Sequence, residues 1–203
     1  MNTPTSIKAK LAKLRPTQMT LGYEEVAKKR KEWRKRDPKD AKRFLRDHLF
    51  PAISGPKGRL YITDHHHLGR ALLEEKIVSV HVAVLADLSQ LDRDEFWILM
   101  DYQQWAHPYD AQGRRRDFSA MPKTLKRLPD DPFRSLAAEV RRQGDFPKDA
   151  TPFAEFLWAD FFRRRIPAET LRRDPDKALK RAKRLARSLE AAHLPGWSGI
   201  GKS

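Results

Sequence analysis

Between Arg59 and Leu85 the chain reads RLYITDHHHLGRALLEEKIVSVHVAVL, and no other stretch restricts the fold as much. The strand-like run Arg59–Thr63 ends against Asp64. A helical pattern then starts at once, with Leu68, Ala71 and Leu72 on one face, and Val78–Leu85 returns to a β-rich run. A second strand-like run, Leu49–Ile53, precedes the first through the turn composition Gly55-Pro56-Lys57-Gly58. These runs require a sheet with helices in the first half of the chain.

Asp64 stands where a helix N-cap belongs, which makes His65, His66 and His67 the first helical turn. The partial positive charge of a helix N-terminus favours acidic residues there and opposes histidine protonation. Neutral imidazoles in that turn can act as bases, hydrogen-bond partners or ligands, and the backbone amides of the turn suit an anion. Successive helical residues point about 100° apart, so the triplet cannot converge on one metal ion. A metal would need Asp64 with one adjacent histidine.

The neighbouring segments read as helices over 21–36, ended by Asp37-Pro38, and over 39–47. Beyond Asp92 the chain becomes mostly helical, over 93–105, 133–142, 152–164 and 174–192. Residues 107–132 between the first two are rich in Pro, Gly and charge, which suggests a long functional loop or partial hairpin. The expected architecture is α+β: a small mixed sheet with helices over 1–91, and a helical extension over 92–203 packed on it.

The formal net charge of +15 is concentrated rather than spread. Lys28–Arg46 and Arg163–Arg187 each hold 11 basic and 3 acidic residues, leaving the remainder nearly neutral. Such stripes attract polyanions, nucleic acid above all, although solvated helix faces look the same in sequence. A hydrophobic content of 39% supports a packed interior. Without cysteine there is no disulfide framework and no thiolate chemistry. No apolar run reaches the ~20 residues of a membrane span. The first residues lack the apolar core of a secretory signal, so the expected location is cytoplasmic with no membrane partner.

YITDHHHLGRAL resembles the Asp-Gly-His-His-Arg turn of the ParB/sulfiredoxin superfamily. LRPTQMTLGYEEV, FWILM, LPDDPFRSLA and PFAEFLWADFF are similar to segments of its ParB-like nuclease family, so the resemblance spans about Leu14 to Arg165. It implies a ParB/sulfiredoxin-like fold whose turn after a strand binds nucleotide phosphates, with ATP or CTP and a divalent ion such as magnesium as the implied cofactors. By position, Asp64, His65, His66 and His67 would line that site and carry any catalysis, with Arg70 a turn later. Arg15, Thr17 and Gln18 would face it from the end of the first strand. Two departures matter. His65 stands where the superfamily has glycine, restricting how closely a phosphate approaches the backbone. Gln18 occupies the place of the acidic base of the serine kinases and cannot abstract a proton.

Four other features deserve a reading. Gly196–Ser203 matches GxxxxGK[ST] letter for letter, but a basic helix precedes it where a working phosphate loop needs a strand. Asp160 falls on the apolar stripe of PFAEFLWADFF and calls for a partner such as Arg134, while a sharper reading puts Asp160 or Glu155 in a catalytic cleft. Trp97, Trp105 and Trp158 read as core. Arg114, Arg115, Arg116, Arg163 and Arg164, with Lys28, Lys29 and Arg30, are the candidate nucleic-acid contacts.

The expected function is therefore phosphoester processing, as a nuclease or nucleotide hydrolase, through the turn from Asp64 to His67. The alternative is a non-catalytic, nucleotide-switched module that binds DNA or a protein partner. A phosphotransferase acting on a small metabolite is a third possibility.

Overall fold

The computed structural model describes residues 5–199. The chain divides into two compact units, one up to Asp130 and one from Asp131. The division falls later than the 91/92 boundary expected from sequence, because helix α4 (Arg93–Tyr102) packs on the sheet of the first unit.

That sheet has five strands: β1 (Thr5–Lys10), β2 (Arg15–Pro16), β3 (Phe50–Gly55), β4 (Arg59–Ile62) and β5 (Ser79–Asp87). Their order is β1-β5-β3-β4-β2. β1 runs antiparallel to β5, β5 parallel to β3, β3 antiparallel to β4, and β4 parallel to β2. The mixed α+β architecture is thus as expected, and β1 and β2 are additions that sequence periodicity did not reveal. β2 is too short to show a period, and β1 is an edge strand with lysines at 8 and 10.

Alternation along the strands builds two cores, one on each face. Ala52 and Ile62 join Leu11, Val26, Phe50, Leu72 and Leu125 on the side of α1 (Tyr23–Arg34) and α3 (His66–Glu74). Their neighbours Ile53 and Tyr61 pack with Phe96, Trp97 and Met100 of α4 on the other. α2 (Pro38–Asp47), capped by Asp37, leads into β3. The irregular stretch after α4 contains a bridge between Tyr109 and Arg115, so part of it is a hairpin as expected.

In the second unit α5 (Pro132–Arg142), α6 (Ala154–Arg163), α7 (Ala168–Arg173) and α8 (Pro175–Ala186) surround a core centred on Trp158, Phe162 and Ala182. The helix expected over 174–192 ends at Ala186, and a separate 3-10 turn covers Leu189–Ala191. That turn, rather than a strand, precedes the phosphate-loop lookalike, of which residues 200–203 lie outside the described residues.

α1 is strapped to the end of α3 by Arg30 and Arg34, which both reach Glu75 at 2.7 Å. Hydrogen bonds from Arg34 and Arg30 pull the Glu75 carboxyl from 4.5 down to about 2. A carboxylate with a depressed folded pKa contributes stability above its unfolded value and loses it as pH falls. The strap should therefore loosen between about pH 4.5 and pH 2, and Glu75→Gln should remove that acid sensitivity. Amide exchange of α1 across this window measures it, and because the arginines are solvent-screened the effect should be modest.

Candidate phosphate-turn site

The turn between β4 and α3 differs from the sequence expectation in one residue, with large consequences. His65, not Asp64, is the N-cap of α3, and it lies in the left-handed region at φ 64°, ψ 22°. This is the conformation that glycine adopts without penalty, so the glycine-to-histidine departure falls on the one position where it costs most. Asp64 is exposed, and its Oδ1 accepts the His65 amide at 2.6 Å. It closes the turn without capping the helix.

His66 and His67 turn inward. The Thr17 amide donates to His66 Nε2 at 3.1 Å, and the Gly22 amide donates to His67 Nε2 at 3.1 Å. Both rings therefore hold a lone pair at Nε2, which assigns them as neutral in this network. His66 is 4% exposed. Between the two anchors, residues 17–22 are all buried. Thr17 Oγ1 donates to the Ile62 carbonyl, and the His107 amide donates to the Thr17 carbonyl. Gln18 Nε2 donates to the Thr20 carbonyl. Two of the histidines thus serve as backbone acceptors for the segment under the turn.

The expected phosphate contacts take different places. Thr17 and Gln18 are interior, at 1% and 6% exposure, and Arg15 is half-buried on β2. Arg70 does not point to an open site. It donates to Glu74 and to the carbonyls of Leu125, Lys126 and Leu128, and lies over the Tyr23 ring at 5.2 Å. It ties the 125–128 turn to α3.

A second imidazole, absent from the sequence reading, sits beside the turn. His48 stacks on Phe44 at 4.7 Å and meets the His65 ring at 4.4 Å with the planes tilted by 37°, while His65 meets Phe50 edge-on. The Arg36 guanidinium lies over the Phe44 ring at 4.1 Å. Burial first, then the charges of Lys29 and Arg36, push His48 below the usual histidine value, with Asp64 opposing. The signal was available in the hairpin. Ala52 pairs with Ile62 antiparallel, and extending that register carries residues 48–50 alongside 64–66. Exposed Asp64 therefore lies beside two imidazoles in contact, and two cations act on one of them, His48. Among the described residues no three His, Asp or Glu side chains are grouped to hold a metal.

The remaining candidate cations are mostly paired. Lys28 meets Glu25, and Arg30 meets Glu74 and Glu75. Arg115 meets Asp101 and Arg116 meets Asp110, whereas the Arg114 side chain is exposed. Arg163 joins Asp131 and Asp160, and Arg164 joins Asp160. The partner of Asp160 is thus this arginine pair rather than Arg134, which lies over the Phe156 ring. Glu155 pairs with Arg141. Trp97 and Trp158 are buried as expected, and Trp105 is half-buried.

A sheet whose strand-to-helix turn carries this histidine pattern defines a ParB-like protein. Residues 7–164 match the family described as "Putative ParB-like nuclease", and the chain belongs to that family. It is also similar to a solved structure, the crystal structure of protein Atu1540 from Agrobacterium tumefaciens. The identity is 45%, over 98% of this chain and 100% of that one, with a TM-score of 0.90. No curated protein matches the chain. No helix among the described residues is long and apolar enough to cross a membrane.

Proposed function

We propose that this is a ParB-like phosphoester-processing protein, cytoplasmic, acting on nucleic acid or a nucleotide at the turn from Asp64 to His67. The observation that carries the reading is exposed Asp64 beside the His48 and His65 rings, with the charges of Lys29 and Arg36 acting on His48. Cations and helix-start amides suit a phosphate, and Asp64 suits a divalent ion bridging to it. A nucleotide such as ATP or CTP fits the same surface, its phosphates at the turn. A magnesium ion, held by Asp64 and phosphate oxygens, would polarise the phosphoester.

Roles within the turn divide by geometry. His66 and His67 hold the buried segment through Nε2, which leaves His65 and His48 as the imidazoles beside Asp64. Asp64→Asn should preserve the Oδ1 hydrogen bond to the His65 amide and leave the melting temperature nearly unchanged. It should cut turnover by at least ~100-fold, the loss typical of a positioned catalytic group. Cleavage of labelled DNA and RNA and phosphate release from ATP and CTP, each with magnesium, manganese or zinc, provide the assay. A wild type inactive throughout would reject the hydrolase reading.

One observation favours a second reading, a nucleotide-switched binding module. The two histidines of the motif support backbone that a ligand at the turn would press on. In that case nucleotide should alter the exchange of the 17–22 amides without being consumed.

A further inference from the structure

Ion pairing separates the basic segments into used and unused cations, and the unused ones in the second unit converge on a single helix face. Arg163, Arg164 and Arg165 are engaged by Asp131, Asp160 and Glu190. Arg172 and Arg173 are engaged by Glu169. Lys183 on α8 and Arg187 at its C-cap turn to buried Asp145. Lys177, Lys180, Arg181 and Arg184 remain, all exposed and none in an ion pair among the described residues.

Helical geometry puts these four within an arc of about 100° and over about 10 Å of axis. The opposite side of α8 carries Ala178, Ala182 and Ala186, each buried in the core of the unit. Alanines at that spacing seat the helix closely and fix which side faces out. The one carboxylate within α8, Asp176, lies in the first turn, where the helix dipole favours it. The family match covers residues 7–164, and this face lies outside it.

We propose that the outer face of α8 is a docking surface for the phosphate backbone of duplex DNA. Charge complementarity is the argument: duplex DNA carries one negative charge per ~1.7 Å, so four cations along this face meet a comparable row of phosphates. The face has no aromatic residue on which unpaired bases could stack, which disfavours single strands. It also has no exposed apolar side to enter a bilayer. The proposal does not depend on turnover at Asp64.

The test uses the full chain in chelator, so that any phosphoester chemistry is silent. Lys177→Gln, Lys180→Gln, Arg181→Gln and Arg184→Gln are combined in one variant. A charge-matched control combines Lys8→Gln, Lys10→Gln, Lys13→Gln and Arg59→Gln. The α8 variant should bind a duplex at least ~30-fold more weakly near 0.1 M salt. Its logarithmic salt slope should fall by about 3 to 4, the value for four lost phosphate contacts. The control should change less than threefold, and Arg181→Lys with Arg184→Lys should keep affinity close to wild type. Equal weakening by both quadruple variants, or none by the α8 variant, overturns the proposal. So does α8-dependent binding that is tighter to single strands, duplex RNA, an acidic protein or anionic vesicles than to duplex DNA.

Discussion

His66→Ala is expected to destabilise the first unit by about 3 kcal/mol, visible as a fall of roughly 10 °C in its melting temperature. The Thr17 amide would lose the Nε2 acceptor in a site where water has little access, since Thr17 is 1% exposed and His66 4%. A buried donor left unpaired costs about 1–3 kcal/mol, and the vacated ring volume adds a cavity term. His66→Gln should recover part of the loss, because its Oε1 can accept where Nε2 did. His67→Ala should cost less, about 1 kcal/mol, since that ring is only half-buried and the Gly22 amide can find water. If His66→Ala melted like wild type, the ring would not be an interior acceptor and would again be a candidate for chemistry.

Arg163→Ala should damage the second unit at least as much, by about 3–5 kcal/mol, because it removes the cation hydrogen-bonded to buried Asp131 and leaves the weaker pull of Arg134. The Asp131 carboxylate is 2% exposed, accepts the Phe133 amide as the cap of α5, and takes Arg163 at 2.6 Å. Burial already raises the Asp131 carboxyl above its ordinary value, against the pull of Arg163. Without the arginine the folded pKa rises further while the unfolded one stays. The folded state then binds more protons, and stability falls as pH rises from the ordinary aspartate value toward the new folded one. Urea unfolding should therefore show a larger loss at pH 8 than at pH 5. Adding Asp131→Asn should rescue the variant, since asparagine caps a helix about as well and carries no charge. Equal losses at both pH values, or no rescue, would mean that Arg163 acts through packing against Phe133 instead.

These variants also mark where local pattern stops being informative. Strand, turn and helix around Asp64 were legible because period and punctuation act over a few residues. The apolar spacing of Leu68, Ala71 and Leu72 names the buried face of α3 whatever packs on it. The likeness of YITDHHHLGRAL to a ParB-like segment was equally local, and the match over residues 7–164 bears out the family. Charge was legible only as a total. Which arginines face solvent depends on where carboxylates fall after folding: Arg30 meets residues 44 and 45 positions away, and Arg163 meets one 32 away. Nothing in the run RRR distinguishes those ion pairs from a phosphate grip, whereas the alanine stripe of α8 does leave a periodic trace.

The division of labour among the histidines was decided by tertiary structure alone. A triplet in sequence gives three equivalent imidazoles at a helix start. Folding turns His66 and His67 onto the amides of Thr17 and Gly22, and leaves His65 against His48 in a left-handed conformation. Those partners lie 49, 45 and 17 positions away along the chain. Sequence determines that a helix begins here and that imidazoles surround its start. Which ring becomes an internal acceptor and which stays beside Asp64 depends on the β3–β4 register and on the path of residues 17–22. Hydrogen bonds between distant segments exist only once the sheet has brought their backbones within 3 Å or so of one another.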